Sequence, residues 1–181
     1  MSVERSIPIR KGVAADAAGI ARVHVDSWRS TYRGLVPDGY LKSLSHEKGT
    51  EKVKGWFKHP LEGFEALVAE ERPGSIVGFA TCGLNRDKTL QLDGELFAIY
   101  LLEQYLRRGI GRALACHVAR RLKERGLHGM ITWVLAGNRA TGFYEALGGT
   151  RIAKKFIDIG GKQLEEIAYG WSDVHSLASI T

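Results

Sequence analysis

An apolar run of strand type, GELFAIYLL over Gly94–Leu102, leads through EQYLRR into a helical stripe that opens on Gly109 and Gly111. No other stretch constrains the fold as much. Ile110, Leu114, Val118 and Leu122 recur at helical spacing and give one apolar face to a helix running to about Arg125. A further buried strand, GMITWVLA, follows at 129–136. Strand, helix and strand in this order belong to a mixed α/β fold with a partly parallel sheet. A glycine inside a helix costs up to about 1 kcal/mol against alanine. Two within three residues, with Arg107 and Arg108 ahead and Arg112 behind, point to a purpose other than helix formation.

The rest of the chain extends the same plan. Ile7–Lys11 reads as a short strand, and Ala14–Arg33 as a helix with Ile20, His24 and Trp28 along one stripe. Gly34 breaks that helix, and Pro37 opens a second, short one. His46–Lys58 is further helix, ended before Pro60. FEALVAEE and SIVGFATCGL are strands around the turn RPGS. NRATGFYEALGG is a helix with Asn138 as its cap and Gly148 at its end. RIAKKFIDI and KQLEEIAYGW flank Gly160-Gly161, the signature of a two-residue hairpin. His175–Thr181 reads as a loose tail.

Bulk properties narrow the function. A chain of 181 residues suits one domain with a sizeable core. No stretch approaches the roughly 20 apolar residues of a membrane span. The start, MSVERSIPIRKG, lacks an apolar signal core, so the expected location is the cytoplasm. Cys82 and Cys116 stand alone, as buried thiols of a reducing compartment do. The six histidines lack ligand spacing, so no metal is expected. A net charge of +6 favours an anionic partner, and much of the surplus lies between Arg107 and Arg125. For Arg120, Arg121, Lys123 and Arg125 a solvated helix face and an anion site are both open readings.

A helix start carries unpaired N–H groups and about half a positive charge, which together bind anions. Glycines there clear the way to the amides, and arginines add fork-shaped donors. RRGIG therefore reads as a pyrophosphate cradle, with close helix–strand packing as the bland alternative. The Walker pattern GxxxxGK[ST] is absent, and the dinucleotide pattern GxGxxG fails at Leu114.

ELFAIYLLEQYLRRGIGRAL followed by WVLAGNRATGFYEALGG resembles the GNAT superfamily of N-acetyltransferases, over nearly the whole chain from IRKGVAAD to EEIAYGW. The family's phosphate motif is met at Gly109 and Gly111, with Leu106 where Gln or Arg is usual. Its second block is met by Asn138, Phe143, Tyr144, Glu145, Leu147 and Gly148. The resemblance implies a single acetyltransferase domain over residues 1–181, with a splayed central strand flanked by helices. It implies acetyl-CoA as co-substrate and transfer to a primary amine of a small molecule or peptide. Other readings are another acyl-CoA or acceptor, a silent acyl-CoA sensor, and a nucleic-acid module. The last is disfavoured because no aromatic residues interleave with the arginines. A homodimer is one assembly the resemblance admits.

The resemblance also implies roles. Residues Arg107, Arg108, Gly109, Ile110, Gly111 and Arg112 hold the phosphates. The amide of Ile99 meets the acetyl carbonyl, with Tyr100 and Leu101 beside it along the pantetheine arm. Tyr144 is the general acid for the departing thiolate, and Asn138 touches the cofactor or a bound water. Glu95 is the candidate base, with Asp93 or a water chain as alternatives. Trp28, Tyr32 and Arg33 fall where the family builds its amine site.

Overall fold

The computed structural model describes residues 7–179; the start read as leaderless over 1–6 and the last two residues of the tail lie outside that range. Strands β1 (Ile9–Lys11), β2 (Glu65–Arg72), β3 (Ser75–Leu84) and β4 (Gly94–Leu101) are followed by β5 (Met130–Leu135), β6 (Thr150–Ile159) and β7 (Lys162–Trp171). They form one sheet in the order β1-β2-β3-β4-β5-β7-β6. Every neighbouring pair is antiparallel except β4 and β5, which are parallel. The hairpin between β6 and β7 turns on Gly160 and Gly161, at φ +63° and +82°. Two successive left-handed residues are what a type I′ turn requires.

Helices cover both faces. On one lie α1 (Ala17–Thr31), α2 (Asp38–Ser43) and α3 (His46–Lys58). Ile20, Val23 and Val53 pack there on Val68, Ile76 and Phe79. On the other lie α4 (Ile110–Glu124), α5 (Ala140–Ala146) and α6 (Val174–Ala178). Leu114, Val118 and Leu122 pack there on Leu96, Met130 and Val134. The helical stripe read from the sequence is thus the buried face of α4. Among the described residues, no helix is long and apolar enough to cross a membrane.

Three expectations need correction. The first helix is preceded by a 3-10 turn at Ala14–Asp16 and ends at Thr31, short of Arg33. Asn138 stands two residues ahead of the assigned start of α5, yet its Oδ1 accepts from Ala140 N at 2.9 Å and caps the turn. The tail is not loose through residue 179: α6 buries Val174, Leu177 and Ala178, and Arg120 Nε donates to Ala178 O at 2.9 Å. Five helical residues are too few for periodicity to register; packing on α4 holds them.

Candidate active site

The β4–β5 ladder has only two registered pairs, Gly94↔Met130 and Glu95↔Ile131. Beyond them β4 continues to Leu101 and β5 to Leu135 without pairing to each other. Thr132 Oγ1 donates to Leu96 O at 3.0 Å at the base of this divergence. The gap that opens is a groove through the middle of the sheet, with Ile99 and Leu101 along one wall. Their side chains pack toward α4, as does that of Phe143. Ser27 Oγ, from α1, donates to Leu101 O at 2.7 Å, so one groove carbonyl is already engaged.

The groove ends at the start of α4. Gly109 takes φ +77°, and Arg107 takes φ +60°, the one non-glycine at positive φ among the described residues. A left-handed residue with a side chain costs roughly 1–2 kcal/mol. Left-handed residues on both sides of Arg108 curl the backbone into an amide-lined hollow of the kind that binds anions. The first rung of the helix is Ala113 N to Gly109 O at 3.0 Å, so the amides of Ile110, Gly111 and Arg112 precede the ladder. At Gly111 a Cβ would sit 3.4 Å from Leu101 and 3.5 Å from Phe143, an ordinary contact. Packing therefore does not demand this glycine; a side chain there would enter the groove.

The basic cluster divides in two. Arg107, Arg108 and Arg112 are exposed at the hollow, and none forms an ion pair among the described residues. Arg121 Nε donates to the buried Glu65 at 2.6 Å, and Arg125 Nη1 donates to Gly63 O. With Arg120 held on α6, the rear arginines are structural ties rather than a free cationic surface.

Tyr144 lies on α5, buried between Tyr169 and Trp171. Its helix is pinned by Trp171 Nε1 donating to Leu147 O at 2.9 Å and by Tyr169 Oη donating to Glu145 at 2.8 Å. Burial pushes the Tyr144 phenol up, partly offset by the neighbouring Thr132 hydroxyl. The proton is thus held at neutral pH, as a general acid requires. Asn138 Nδ2 donates to Tyr32 Oη at 3.2 Å and so joins α5 to the end of α1.

On the opposite face of the groove, Trp28 stacks near Tyr32 at 4.5 Å and Tyr40 at 5.9 Å between ring centroids. Trp28 Nε1 is buried without a hydrogen-bond partner among the described residues. Burial raises the phenols of Tyr32 and Tyr100 and pushes His24, edge-on to Tyr100, down to about 4. Arg33 is exposed, beyond the end of α1, and its backbone bridges to Val36.

Glu95 is buried on this face, and Arg86 engages it by Nη2 to Oε1 at 2.6 Å, Nε to Oε2 at 3.1 Å and N to Oε2 at 2.9 Å. Its alternative, Asp93, accepts from His128 N and Gly129 N at the far end of the strands. Burial works to raise Asp93, but those amides outweigh it and hold the carboxyl below its ordinary value. That arrangement makes Asp93 a structural clamp. Arg86, Trp133, Lys155 and Glu166 escaped the sequence reading. Leu135, Glu166 and Lys155 stand in one cross-strand row, and Trp133, Ala168 and Ala153 in the next. Lys155 Nζ lies 3.8 Å over the Trp133 ring and 3.7 Å from Glu166. The β5–β7 and β6–β7 registers together bring the last three close, which no local motif announces. A separate shallow cavity of about 500 Å³, lined by Leu92, Thr150, Gly170 and Trp171, opens at the other end of the sheet.

The model of the Acetyltransferase (GNAT) family matches residues 24–149. An uncharacterized N-acetyltransferase of Bacillus subtilis, YuaI, is 38% identical over 174 residues, covering 96% of this chain and 98% of that protein. A spermidine N(1)-acetyltransferase of Thermoplasma acidophilum is 26% identical over 123 residues, covering 67% of this chain and 74% of its own. The PaiA N-acetyltransferase structure from the same organism, in complex with coenzyme A, superposes with a TM-score of 0.64 at 23% identity, over 90% of this chain and 98% of that one.

Proposed function

Since the chain belongs to the Acetyltransferase (GNAT) family and is an acetyl-CoA-dependent acetyltransferase, we propose that it transfers acetyl directly to a primary amine of a small molecule or peptide, in the cytoplasm. The observation that carries this reading is the two-rung β4–β5 ladder: it leaves a groove with the amide hollow at one end and an open face at the other. Both co-substrates can meet there without a covalent enzyme intermediate.

In this reading the pyrophosphate rests on the amides of residues 107–112, with Arg107, Arg108 and Arg112 supplying charge. Backbone groups of Tyr100 and Leu101 run along the pantetheine arm, and Asn138 steadies it from α5. The Ile99 amide donates to the acetyl carbonyl and then to the oxyanion that forms as the amine adds. The new N–C bond forms, the C–S bond breaks, and Tyr144 gives its phenol proton to the sulfur. The amine's proton leaves through water to Glu95. A carboxylate offers about four lone-pair sites, and Arg86 fills three of them, so one site on Oε1 stays free. Trp28, Tyr32 and Arg33 border the acceptor's path, and the relative acting on spermidine supports an aliphatic amine as acceptor.

Thiol release from acetyl-CoA, measured over amines, polyamines, aminoglycosides and peptides, tests the reading. Amine-dependent release with a mass gain of one acetyl group on the acceptor is the expected result. Release that no amine stimulates would overturn it.

A further inference from the structure

Resting on the acetyl-transfer reading, we infer that Trp133 and Glu166 form a subsite for a second, non-reacting ammonium of the acceptor, and that Lys155 occupies this subsite until the acceptor displaces it. The substrate class is then a di- or polyamine.

The argument begins with register. Partners directly opposite across a ladder point to the same face. Glu95 pairs with Ile131, Trp133 with Ala168, and Leu135 with Glu166, which pairs in turn with Lys155. Leu135 packs against Tyr32, Val36 and Leu41, so the whole row lies on the face of α1 and α2, where the acceptor enters. Ala168 and Ala153 flank Trp133 with small side chains, the indole is partly exposed, and Lys155 lies over its ring. An ammonium over an indole face beside a carboxylate is a cation site assembled from two independent attractions.

The present occupant is loosely held. At 3.7 Å the Lys155–Glu166 pair is beyond hydrogen-bond reach. Lys155 projects from β6, the outermost strand, and its side chain is 42% exposed. It can swing into water on its flexible stem. Glu166 is different: its side chain is 17% exposed, and burial raises its carboxyl, with Glu95 adding to that and Lys155 and Arg86 opposing. A half-buried carboxylate with an incompletely satisfied partner gains from a better-fitting cation.

The subsite suits a cation that does not react. An amine attacks only when neutral, and a carboxylate with an aromatic face stabilises the charged form. A nitrogen resting there is therefore held protonated. It anchors the acceptor while the chain's other amine reaches the groove.

The test uses three acceptors of one length: cadaverine, pentylamine and 5-aminopentanoate, with an ammonium, a methyl and a carboxylate at the far end. Wild-type enzyme should prefer cadaverine. Glu166→Gln should raise its KM about 10- to 100-fold, leaving the KM for acetyl-CoA and for pentylamine unchanged. Lys155→Met, which removes the competing ammonium, should lower the cadaverine KM several-fold. A merely structural ion pair predicts loss in both variants, so the opposite signs are decisive. Equal use of pentylamine and cadaverine, or a rise in KM for all acceptors in both variants, overturns the subsite and leaves acetyl transfer standing. Absence of thiol release with every amine overturns both.

Discussion

The two sides of the groove are built by different means. The proposed cofactor side is made of backbone: the left-handed residues Arg107 and Gly109, the first-turn amides of α4 and the edge of β4 that is unpaired with β5. The proposed acceptor side is made of side chains from distant parts of the chain: Trp28 and Tyr32 from α1 and its end, Glu95 from β4, Trp133 from β5, Lys155 and Glu166 from the hairpin. Backbone sites serve any acceptor alike, because main-chain groups do not vary with sequence. Side-chain sites are where one member of a family can differ from another.

That contrast can be broken most forcefully at Gly111. Gly111→Glu places a carboxylate at the proposed phosphate position, and like charges at such range cost several kcal/mol. Affinity for acetyl-CoA should fall about 1,000-fold in calorimetry. The helix itself should not suffer, since a Cβ fits there and an acidic residue in a first turn favours the dipole. A large drop in Tm would show instead that the glycine serves packing.

Next in size is Tyr144→Phe, which keeps the ring and removes the proton. A loss in kcat of about 10²–10³-fold is expected, with acetyl-CoA affinity unaltered. Undiminished turnover would make Tyr144 a packing residue. A smaller effect belongs to Glu95→Gln: kcat/KM should fall about 10- to 100-fold near pH 7 and recover toward pH 9.5, where free amine is plentiful. The same deficit at every pH would reduce Glu95 to a holder of Arg86.

The smallest effect concerns pH and the acceptor wall. His24 titrates at about 4 in the folded protein, against 6.5 as the ordinary value. Burial is the main cause, and the neighbouring charge of Lys52 adds to it. Between these values the unfolded chain binds the extra proton, so stability falls as pH drops from 6.5 to 4. The loss is about 2 kcal/mol after discounting for partial exposure. Asp16 lies below its ordinary value, chiefly through its hydrogen bond to Arg10, and Glu70 at about 2, so their contributions fade only at lower pH. Urea denaturation at pH 7 and pH 4.5 should show the drop in wild type and a reduced one in His24→Leu. An identical drop in both would assign it to the carboxylates.

The same division governs what could be read from the sequence. Gly109, Gly160, Gly161 and Gly148 advertise local backbone conformations, so the turns and the left-handed entry to α4 were legible. Strands of alternating or continuous apolar character placed the sheet. Glu95 was legible by position, but not its partner Arg86, which arrives from a loop nine residues earlier. Arg107 carries a positive φ that only the folded loop imposes, since arginine does not signal it. Trp133, Lys155 and Glu166 are unremarkable within their strands; two separate registers make them neighbours. Arg120, Arg121 and Arg125 resembled a surface charge run because their anchors, Ala178, Glu65 and Gly63, lie about 60 residues away in sequence.

The two-rung ladder has a mechanical side as well. Each flank of the seam is an antiparallel unit continuous in sequence, 9–101 on one side and 130–171 on the other. Strand-to-strand fastenings across the seam cluster at its lower end, at Asp93, Gly94, Glu95 and Leu96, whereas at the upper end side chains join the flanks, Asn138 Nδ2 donating to Tyr32 Oη and Lys162 Nζ to Leu35 O. The sheet is thus riveted through its backbone at one edge and parted at the other, like a clothes-peg held ajar by side chains. An object gripped at the parted edge would meet two strand edges whose main-chain groups have no partner across the seam.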